Sequence, residues 1–283
     1  MKKLMTKLIA AVLSVACMLG VTACGRTQVV GKEFSSAPSQ LDAVMKLDKG
    51  EADVAVIDSV MASYYCSTGD YAAKIQMVEN LVFAEETYGI AAKKGNLSLV
   101  SKINEALIAM RTGDYANLLT KYNLADYSTL TETTSDPYAN ATDDSWTNVV
   151  NAKKINIGYT LFAPIAYQEG ATLTGFDVEL AQKAIAYLNT TYNAQIEIEF
   201  VLIDWSAKEA KLQDGSIDLV WNGLTVTEER SAQMCISIPY LYNKQVAVIL
   251  KQDAAKYTNK ESMAEAIMTA ELGSAGEAVI FGE

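Results

Sequence analysis

The pattern of apolar and polar positions predicts short helices that alternate with buried strands. The short apolar run at 217–221 is typical of a buried parallel strand. A helix precedes it over 208–212 and stops at Asp214-Gly215. After the strand, Thr227 is the expected N-cap of a second helix, because the two glutamates that follow it suit the positive end of a helix. Polar groups therefore gather beyond the carboxyl end of a strand, where open α/β sheets bind ligands.

The same reasoning places further elements along the chain. We expect helices at 39–48, 59–65, 99–107, 115–122 and 176–188, and strands at 54–57, 155–159, 196–201 and 245–250. The alternation predicts an α/β fold. The span 128–150 is rich in Thr, Ser, Asp and Asn and has no amphipathic period, so we expect a surface linker there.

A short internal repeat relates two of these regions. The residues KLDKGEAD at 46–53 match KLQDGSID at 211–218, and both indicate a helix end, a glycine turn and an aspartate that starts a buried strand. Carrying this register forward places Asp58 opposite Gly223, each at the carboxyl end of its strand. The alternative is chance recurrence of a common turn between a helix and a strand.

Composition excludes several classes of function. The 283 residues include no histidine, which excludes Ser/His and Cys/His catalysis and histidine-ligated metals. We therefore expect no metal and no cofactor. The formal net charge of −11 argues against a nucleic-acid partner. We expect Cys66 and Cys235 to be free and buried.

The first 23 residues are typical of an export signal. A basic head of three lysines is followed by an apolar stretch at 8–19, which is too short for an ordinary membrane-spanning helix. The residues VTAC at 21–24 resemble the lipobox of bacterial lipoproteins. This resemblance implies cleavage before Cys24 and lipidation of its thiol, which would hold the exported protein on the outer face of the cell membrane or in the periplasm. The alternative is a plain signal peptide that leaves Cys24 unmodified.

The segment 203–240 resembles the polar amino-acid branch of the bacterial extracellular solute-binding proteins, family 3. The family pattern W-x(6)-L-x-x-G-x-x-D, G-x-T-x-T-x-E-R and S-x-P-Y is matched in order by Trp205, Leu212, Gly215, Asp218, Gly223, Thr225, Thr227, Glu229, Arg230, Ser237, Pro239 and Tyr240. Residues 155–159, 162–164 and 175–180 resemble the family's first strand, its ligand loop and its Gly-Phe-Asp block. The resemblance implies an α/β fold of the periplasmic-binding-protein type II, with two αβα lobes joined by a two-strand hinge.

The order of the segments differs from that of the family. Residues 40–58, 86–95 and 103–122 resemble the later second-lobe segment, the return crossover and the closing helices, yet they precede the family's opening block. We therefore predict a circularly permuted chain. Its parts are a lipoprotein signal peptide (1–23), a lipidated tether (24–27), lobe 2 (28–80 plus 251–283), lobe 1 (84–127 plus 152–247) and a linker that joins the ancestral termini (128–151). The hinge is expected near 84–88 and 246–248.

The resemblance also implies a site for a free amino acid between the lobes. Arg230 matches the arginine that binds the carboxylate, with Thr225 as its hydroxyl partner. Asp58 and the carbonyl of Gly223 match the acceptors of the ammonium group. Ser274 lies in a loop whose backbone N–H groups reach the same carboxylate, and its spacing from a glutamate three residues later indicates a capping box and an anion site.

Three aromatic residues complete the predicted site. Phe162 and Trp205 match positions that stack on the ligand side chain. Tyr159 stands where members that bind basic ligands have an aspartate, which favours apolar or neutral polar ligands, although cation–π contact leaves room for cations. Simpler interpretations stay open for three site residues. Arg230 alone could pair with a neighbouring glutamate on a surface helix, Asp58 could cap a helix, and Trp205 could belong to the core.

The predicted function is that of a non-catalytic, monomeric receptor. It captures an amino acid between two lobes, closes by a hinge and delivers the ligand to an ABC transporter permease in the membrane. One alternative is an enzyme on the same scaffold that dehydrates cyclohexadienyl acids. Such an enzyme needs a positioned acid in the cleft, and the sequence offers no clear candidate besides Asp58. A permuted binding module could also serve as a sensor, and a permuted chain could have lost the ability to close on a ligand.

Overall fold

A computed structural model describes residues 26–283. The predicted export signal and the predicted lipidation site, Cys24, lie outside the described residues. Within 26–283, no helix has both the length and the apolar character that a membrane crossing requires.

Helices and strands alternate along the chain, which confirms the predicted α/β class. The helices are Gln40–Lys49 (α1), Ser59–Ser67 (α2), Leu97–Met110 (α3), Asp114–Lys121 (α4), Ser145–Ala152 (α5), Phe176–Tyr192 (α6), Lys208–Asp214 (α7), Glu228–Gln233 (α8) and Ala275–Phe281 (α9). The strands are Glu33–Ala37 (β1), Val54–Asp58 (β2), Ile75–Lys93 (β3), Lys154–Tyr159 (β4), Tyr167–Glu169 (β5), Thr172–Thr174 (β6), Glu197–Leu202 (β7), Leu219–Thr225 (β8), Met234–Ile236 (β9), Leu241–Leu250 (β10) and Ile267–Glu271 (β11).

The main sheet consists of two halves with the same arrangement. Its strand order is β1-β11-β2-β10-β3-β8-β4-β7, with β9 beside β3, while β5 and β6 form a separate hairpin. Strands β1, β11 and β2 run parallel to one another, as do β7, β4 and β8. Strand β10 is antiparallel to β2, and β3 is antiparallel to β8. The long strands β3 and β10 pair with each other in the middle of the sheet.

The register of the β3–β10 pair shifts between Gln245 and Val248. These shifts fall in the region predicted for the hinge, around 246–248. A β-bulge of this kind locally disrupts the ladder and bends the strand. The hinge itself stays a prediction.

Both faces of the sheet are covered by apolar side chains. In β2, Ala55 and Ile57 belong to one buried cluster, whereas Val54 and Val56 belong to another. Successive residues of a strand point to opposite faces, so this strand is packed on both sides. The near-continuous apolar character of β2 and β8 in the sequence has the same cause, because parallel strands covered on both faces have no polar side.

The internal repeat forms the same structure twice. Gly50 and Gly215 both end a helix in the left-handed conformation, with φ of 70° and 78°. Asp53 donates its backbone N–H to Ile267 O, and its carboxylate accepts the N–H of Ile267, both at 2.8 Å. Asp218 does the same with Asn156, at 2.8 and 2.7 Å. Each aspartate thereby fixes the start of the neighbouring parallel strand, which argues against a chance recurrence.

Three details differ from the sequence-based expectation. The segment 128–150 is predicted to lack regular structure, but it contains most of α5, which buries Val149. The carboxylate of Asp143 accepts a hydrogen bond of 2.8 Å from the backbone N–H of Ser98 and so holds the start of α5 against α3. Strands β1, β5, β6, β9 and β11 are not predicted by the sequence pattern. Among the described residues Cys66 and Cys235 are both free, and Cys235 is buried, but Cys66 is only half-buried.

The two ends of the described chain lie side by side. The backbone N–H of Val29 donates to Ile280 O at 2.8 Å. The guanidinium of Arg26 forms an ion pair with Glu283, with Nε 2.6 Å from Oε1. Strand β1, which follows the first of these ends, pairs in parallel with β11, which precedes the second.

Candidate functional site

Residues from both halves of the sheet line one narrow cleft. They come from the carboxyl ends of β2, β8 and β11 and from the segments around them: Gln40, Asp58, Thr160, Phe162, Trp205, Asn222, Gly223, Thr225, Arg230, Glu271, Ser274 and Ala275. Every predicted ligand-binding residue except Tyr159 is in this set. The name lobe 1 denotes residues 84–127 plus 152–247, lobe 2 denotes 28–80 plus 251–283, and the cleft is the space that these twelve residues line.

Arg230 reaches from lobe 1 to lobe 2. Helix α8 begins at the N-cap Thr227, whose hydroxyl accepts the backbone N–H of Arg230 at 3.1 Å. The guanidinium donates to the carbonyl of Thr225 at 2.9 Å and to the carbonyl of Gly273 at 3.2 Å. Within the described residues it forms no ion pair with Glu229. The interpretation of Arg230 as a surface residue paired with its neighbour is therefore wrong.

Lys208, which the sequence does not single out, joins Arg230 at the same carbonyl. Its Nζ lies 3.1 Å from Gly273 O and 3.3 Å from Trp205 O, and the residue is only 2% exposed. Burial, and then the nearby charge of Arg230, lower the pKa of Lys208. Two cations of lobe 1 thus hold one carbonyl of lobe 2.

The lobes are drawn tightly together at this point. The free space between the lining residues is about 10 Å³, the room of roughly one water molecule. A ligand larger than a water molecule would fit only if the lobes separated and Arg230 and Lys208 released Gly273.

Asp58 is held by amide groups of both lobe 2 and the central strands. Its carboxylate accepts hydrogen bonds from the side-chain amides of Gln40, Asn243 and Gln245. Although Asp58 occupies the N-cap position of α2, its side chain makes no capping hydrogen bond, so the interpretation as a simple helix cap is wrong. Burial, and then the charge of Glu86, raise the pKa of Asp58 well above its usual range.

The buried carboxyl group of Asp177 fixes the backbone at Gly223. Asp177, at the start of α6, accepts the N–H of Gly223 at 2.8 Å and the hydroxyl of Tyr240 at 2.7 Å. Burial raises the pKa of Asp177 to about 7. Gly223 has φ of +64°, and a Cβ at this position would lie 2.7 Å from the ring of Phe162. Only glycine therefore allows the aromatic ring to lie against the strand.

Ser274 is engaged in a capping arrangement at the start of α9. Its hydroxyl accepts the backbone N–H of Glu277 at 3.1 Å, and the carboxylate of Glu277 accepts the N–H of Gly273 at 2.6 Å. The predicted capping box is present in this modified form, with Gly273 rather than Ser274 as the backbone donor. This cap orders the loop that carries the carbonyl held by the two cations.

The remaining predicted aromatic residues lie in different surroundings. Trp205 is 5% exposed and packs in the core of lobe 1 with Leu212 while also lining the cleft, so the core and pocket interpretations both hold. Tyr159 packs edge-on against Phe200, with ring centroids 6.2 Å apart, and is not among the lining residues.

Two polar features of the cleft have no counterpart in the sequence prediction. Thr160 and Asn222 bond to each other through their side chains at 2.8 Å. Glu271, at the end of β11, is 3% exposed, and burial raises its pKa to about 8. Its position directly before the loop with Ser274 is the available signal, since a residue at the carboxyl end of a parallel strand faces the ligand crevice.

Part of the chain is similar to a family of known proteins. Residues 155–272 match the model of the bacterial extracellular solute-binding proteins, family 3. The probable amino-acid-binding protein YxeM of Bacillus subtilis (strain 168) is 28% identical over 111 residues, covering 39% of this chain and 39% of its own. The arginine-binding extracellular protein ArtP of the same organism is 34% identical over 110 residues, covering 38% and 40%.

Solved structures match a similar share. A substrate-binding protein of an ABC uptake transporter from Streptococcus pneumoniae, crystallised with bound histidine, is 35% identical, covers 32% of this chain and 35% of its own, and has a TM-score of 0.28. The chain spans about two-fifths of the length of the curated relatives it matches. The matched segment carries Phe162, Gly223 and Arg230 and is similar to the bacterial extracellular solute-binding proteins, family 3.

Proposed function

We propose that this protein is a non-catalytic, amino-acid-binding component of an ABC uptake system. It captures a free amino acid between lobe 1 and lobe 2 and delivers it to a transporter permease. The proposal includes export, anchoring to the membrane through lipid on Cys24, and action as a monomer. The observation that carries the proposal is the meeting of Arg230 from lobe 1 and Asp58 from lobe 2 in one cleft.

The charges of the cleft suit a zwitterion. An α-amino acid carries a carboxylate and an ammonium group a short distance apart. When the lobes part, the guanidinium of Arg230 is released from the carbonyl of Gly273 and can bind the carboxylate through two N–H groups. Thr225 lies beside it, and Ser274 faces it from lobe 2. Asp58 and the carbonyl of Gly223 are assigned to the ammonium group, and Phe162 and Trp205 to the side chain. Tyr159 has no assigned contact, because it is not among the lining residues.

A thermal-shift screen of the twenty amino acids and their common derivatives tests the proposal. A ligand present at about 100 times its Kd stabilises the native state by about 2.7 kcal/mol, which is a clear shift of the melting temperature. Calorimetry then gives the Kd of the best ligand. If no amino acid shifts the melting temperature, the proposed function is wrong.

The role of Asp58 has its own test. In Asp58→Asn, the ammonium group loses a charged acceptor, so affinity for the amino acid should fall by about tenfold. Affinity for the matching 2-hydroxy acid, which lacks the amine, should change much less. Equal losses for both ligands in calorimetry would show that Asp58 acts on the fold of the cleft rather than on the amine.

We also propose that the chain is a circular permutant with its ancestral termini joined by 128–151. In lobe 1 the chain runs β4, α6, β7, α7, β8. In lobe 2 the corresponding path is β11, α9, β1, α1, β2. This path is interrupted between α9 and β1, where the backbone N–H of Val29 donates to Ile280 O. A re-ordered gene encoding 152–283 followed by 26–127 should give a protein with the same ligand affinity. A matched re-ordering that opens β4 should fail to fold, and failure of both designs would contradict the permutation.

Glu271 favours one alternative function. A buried carboxyl group whose pKa is raised to about 8 carries its proton at neutral pH and can act as a general acid. This is the positioned acid that a dehydratase acting on cyclohexadienyl acids on the same scaffold would need. Loss of the mass of water from such an acid during incubation, measured by mass spectrometry, would favour the enzyme, and an unchanged mass would favour the receptor.

A further inference from the structure

The side chain of Glu271 is the feature of the cleft that the proposed function leaves unexplained. It lies at the end of β11 in lobe 2, is 3% exposed and lines the same cleft as Arg230 and Asp58. Its Oε1 is buried and has no hydrogen-bond partner among residues 26–283. Buried polar atoms are nearly always paired, so an unpaired one at a ligand site needs an explanation.

The neighbouring cations do not satisfy Glu271. Lys208 is close enough to oppose the rise in the pKa of Glu271, but its hydrogen bonds go to the carbonyls of Trp205 and Gly273, and its ion pair, at 3.2 Å, is with Glu209. Arg230 is bound to the carbonyls of Thr225 and Gly273. Both cations are thus engaged by backbone carbonyls rather than by the carboxyl group of Glu271.

The other carboxylate of the cleft is in the opposite situation. Asp58 accepts hydrogen bonds from three side-chain amides, which use most of its acceptor sites. Glu271 therefore offers an unpaired acceptor besides the groups assigned to the ammonium, and a ligand group that brings an N–H would pair with it. An apolar ligand end would instead leave Oε1 buried and unpaired, which is unfavourable.

We propose that Glu271 selects the ligand by its side chain, and that the ligand is an amino acid whose side chain ends in an N–H donor, either a cation or an amide. This inference rests on the proposed function. The carboxyl group that recognises the ligand side chain then lies in lobe 2, at the end of β11. Tyr159 of lobe 1 has no carboxylate, but this does not exclude a basic ligand.

Pairs of amino acids with similar shape test the inference in the wild-type protein. Calorimetry at neutral pH compares lysine with norleucine and glutamine with methionine, and arginine, ornithine, histidine and asparagine are measured alongside. We expect an N–H-bearing member to bind about tenfold or more tightly than its apolar counterpart. Equal binding, or a preference for norleucine and methionine, would overturn the inference while leaving the proposed function in place. Absence of binding by every amino acid would overturn both.

Two substitutions at the same position separate the cationic ligand from the amide. Glu271→Gln keeps an acceptor but cannot ionise. A bound cation would favour loss of the proton from Glu271, so binding of a cationic ligand should weaken about tenfold in this variant while binding of an amide ligand stays within about threefold. Glu271→Leu removes the acceptor and should abolish the preference for either class. A Glu271→Leu protein that keeps the wild-type preference would overturn the inference.

Glu265→Gln is the matched control. Glu265 is an exposed glutamate of lobe 2 that pairs with Lys32 at 3.0 Å, outside the cleft. Its substitution should leave all affinities unchanged. A change as large as that in Glu271→Gln would show that the effect comes from the net charge of the protein and would overturn the assignment to Glu271.

Discussion

The two copies of the internal repeat differ where the ligand is expected. In lobe 2, Gly50 turns the chain, Asp53 anchors the neighbouring strand, and Asp58 ends the strand with a carboxylate. In lobe 1, Gly215 and Asp218 do the same structural work, but Gly223 leaves the strand without a side chain. The comparison separates the residues that build each lobe from those that give each lobe its chemistry.

The lobes also bring opposite charges to the cleft. Lobe 1 contributes the cations Arg230 and Lys208, and lobe 2 contributes the carboxyl groups of Asp58 and Glu271 together with the carbonyl of Gly273. Both lobes therefore have the same structural frame, but lobe 1 contributes the cations and lobe 2 contributes the acidic groups. The zwitterionic ligand that we propose, with a donor at its far end, would suit a cleft divided in this way.

The largest expected effect comes from removing the cation of lobe 1. Arg230→Ala deprives the ligand carboxylate of two charged hydrogen bonds, so the affinity measured by calorimetry should fall about 100-fold or more. Arg111→Ala is the control, because the guanidinium of Arg111 binds the carbonyl of Thr131 at the surface. Unchanged binding in Arg230→Ala would refute the assignment of charge to lobe 1.

Substitution of two glycines of lobe 1 tests the distinction between residues that build the lobe and residues that shape the site. In Gly223→Ala the new Cβ would stand 2.7 Å from Phe162 with φ at +64°, so stability should fall by about 2–4 kcal/mol. In Gly215→Ala φ is +78°, but the new Cβ would have no atom within 4 Å apart from those of its chain neighbours. The loss of stability should therefore be about 1–2 kcal/mol. Equal losses in urea denaturation would mean that the contact with Phe162 does not matter.

Raised carboxyl pKa values in both lobes predict a pH dependence. Asp177 in lobe 1 and Glu271 in lobe 2 have pKa values of about 7 and about 8, raised mainly by burial, and the pKa of Asp58 is raised too. The folded protein therefore holds protons that the unfolded chain releases near pH 4. The stability from these groups is complete below the unfolded pKa values and is lost as the pH rises through 7 and 8.

Denaturation at a series of pH values measures this loss. The free energy of unfolding should fall by on the order of 1–2 kcal/mol for each of Asp177 and Glu271 between pH 5 and pH 8. Asp177→Asn and Glu271→Gln should each flatten the profile, since the amide does not titrate. A profile that rises over this range would contradict the raised pKa values.

The smallest expected effect is a loss of stability that should be equal in both lobes. Asp53→Ala and Asp218→Ala each remove the acceptor of one strand N–H, so each should cost about 1 kcal/mol and leave ligand affinity unchanged. Clearly different losses in the two variants would break the structural equivalence of the repeats.

Local patterns in the sequence are sufficient for most of the elements and for the resemblance to the family. They predict the helix at Thr227, the glycine turns at 50 and 215 and the α/β alternation, because capping, turn chemistry and hydrophobic period act within a few residues. They miss the helix in the linker, because its eight residues have a short apolar face and are held by Ser98, far away in sequence.

The sequence by itself determined the α/β class, the repeated turn-and-strand unit and the similarity of 155–272 to the solute-binding proteins of family 3. The tertiary structure alone decided that Gln40, Asn243 and Gln245 surround Asp58, and that Lys208 shares the carbonyl of Gly273 with Arg230. It also left the Oε1 of Glu271 buried without a partner. The physical reason is that burial and long-range hydrogen bonds set the charge and the free acceptor sites of a polar group, and these depend on distant neighbours, as in the 187 positions that separate Asp58 from Gln245.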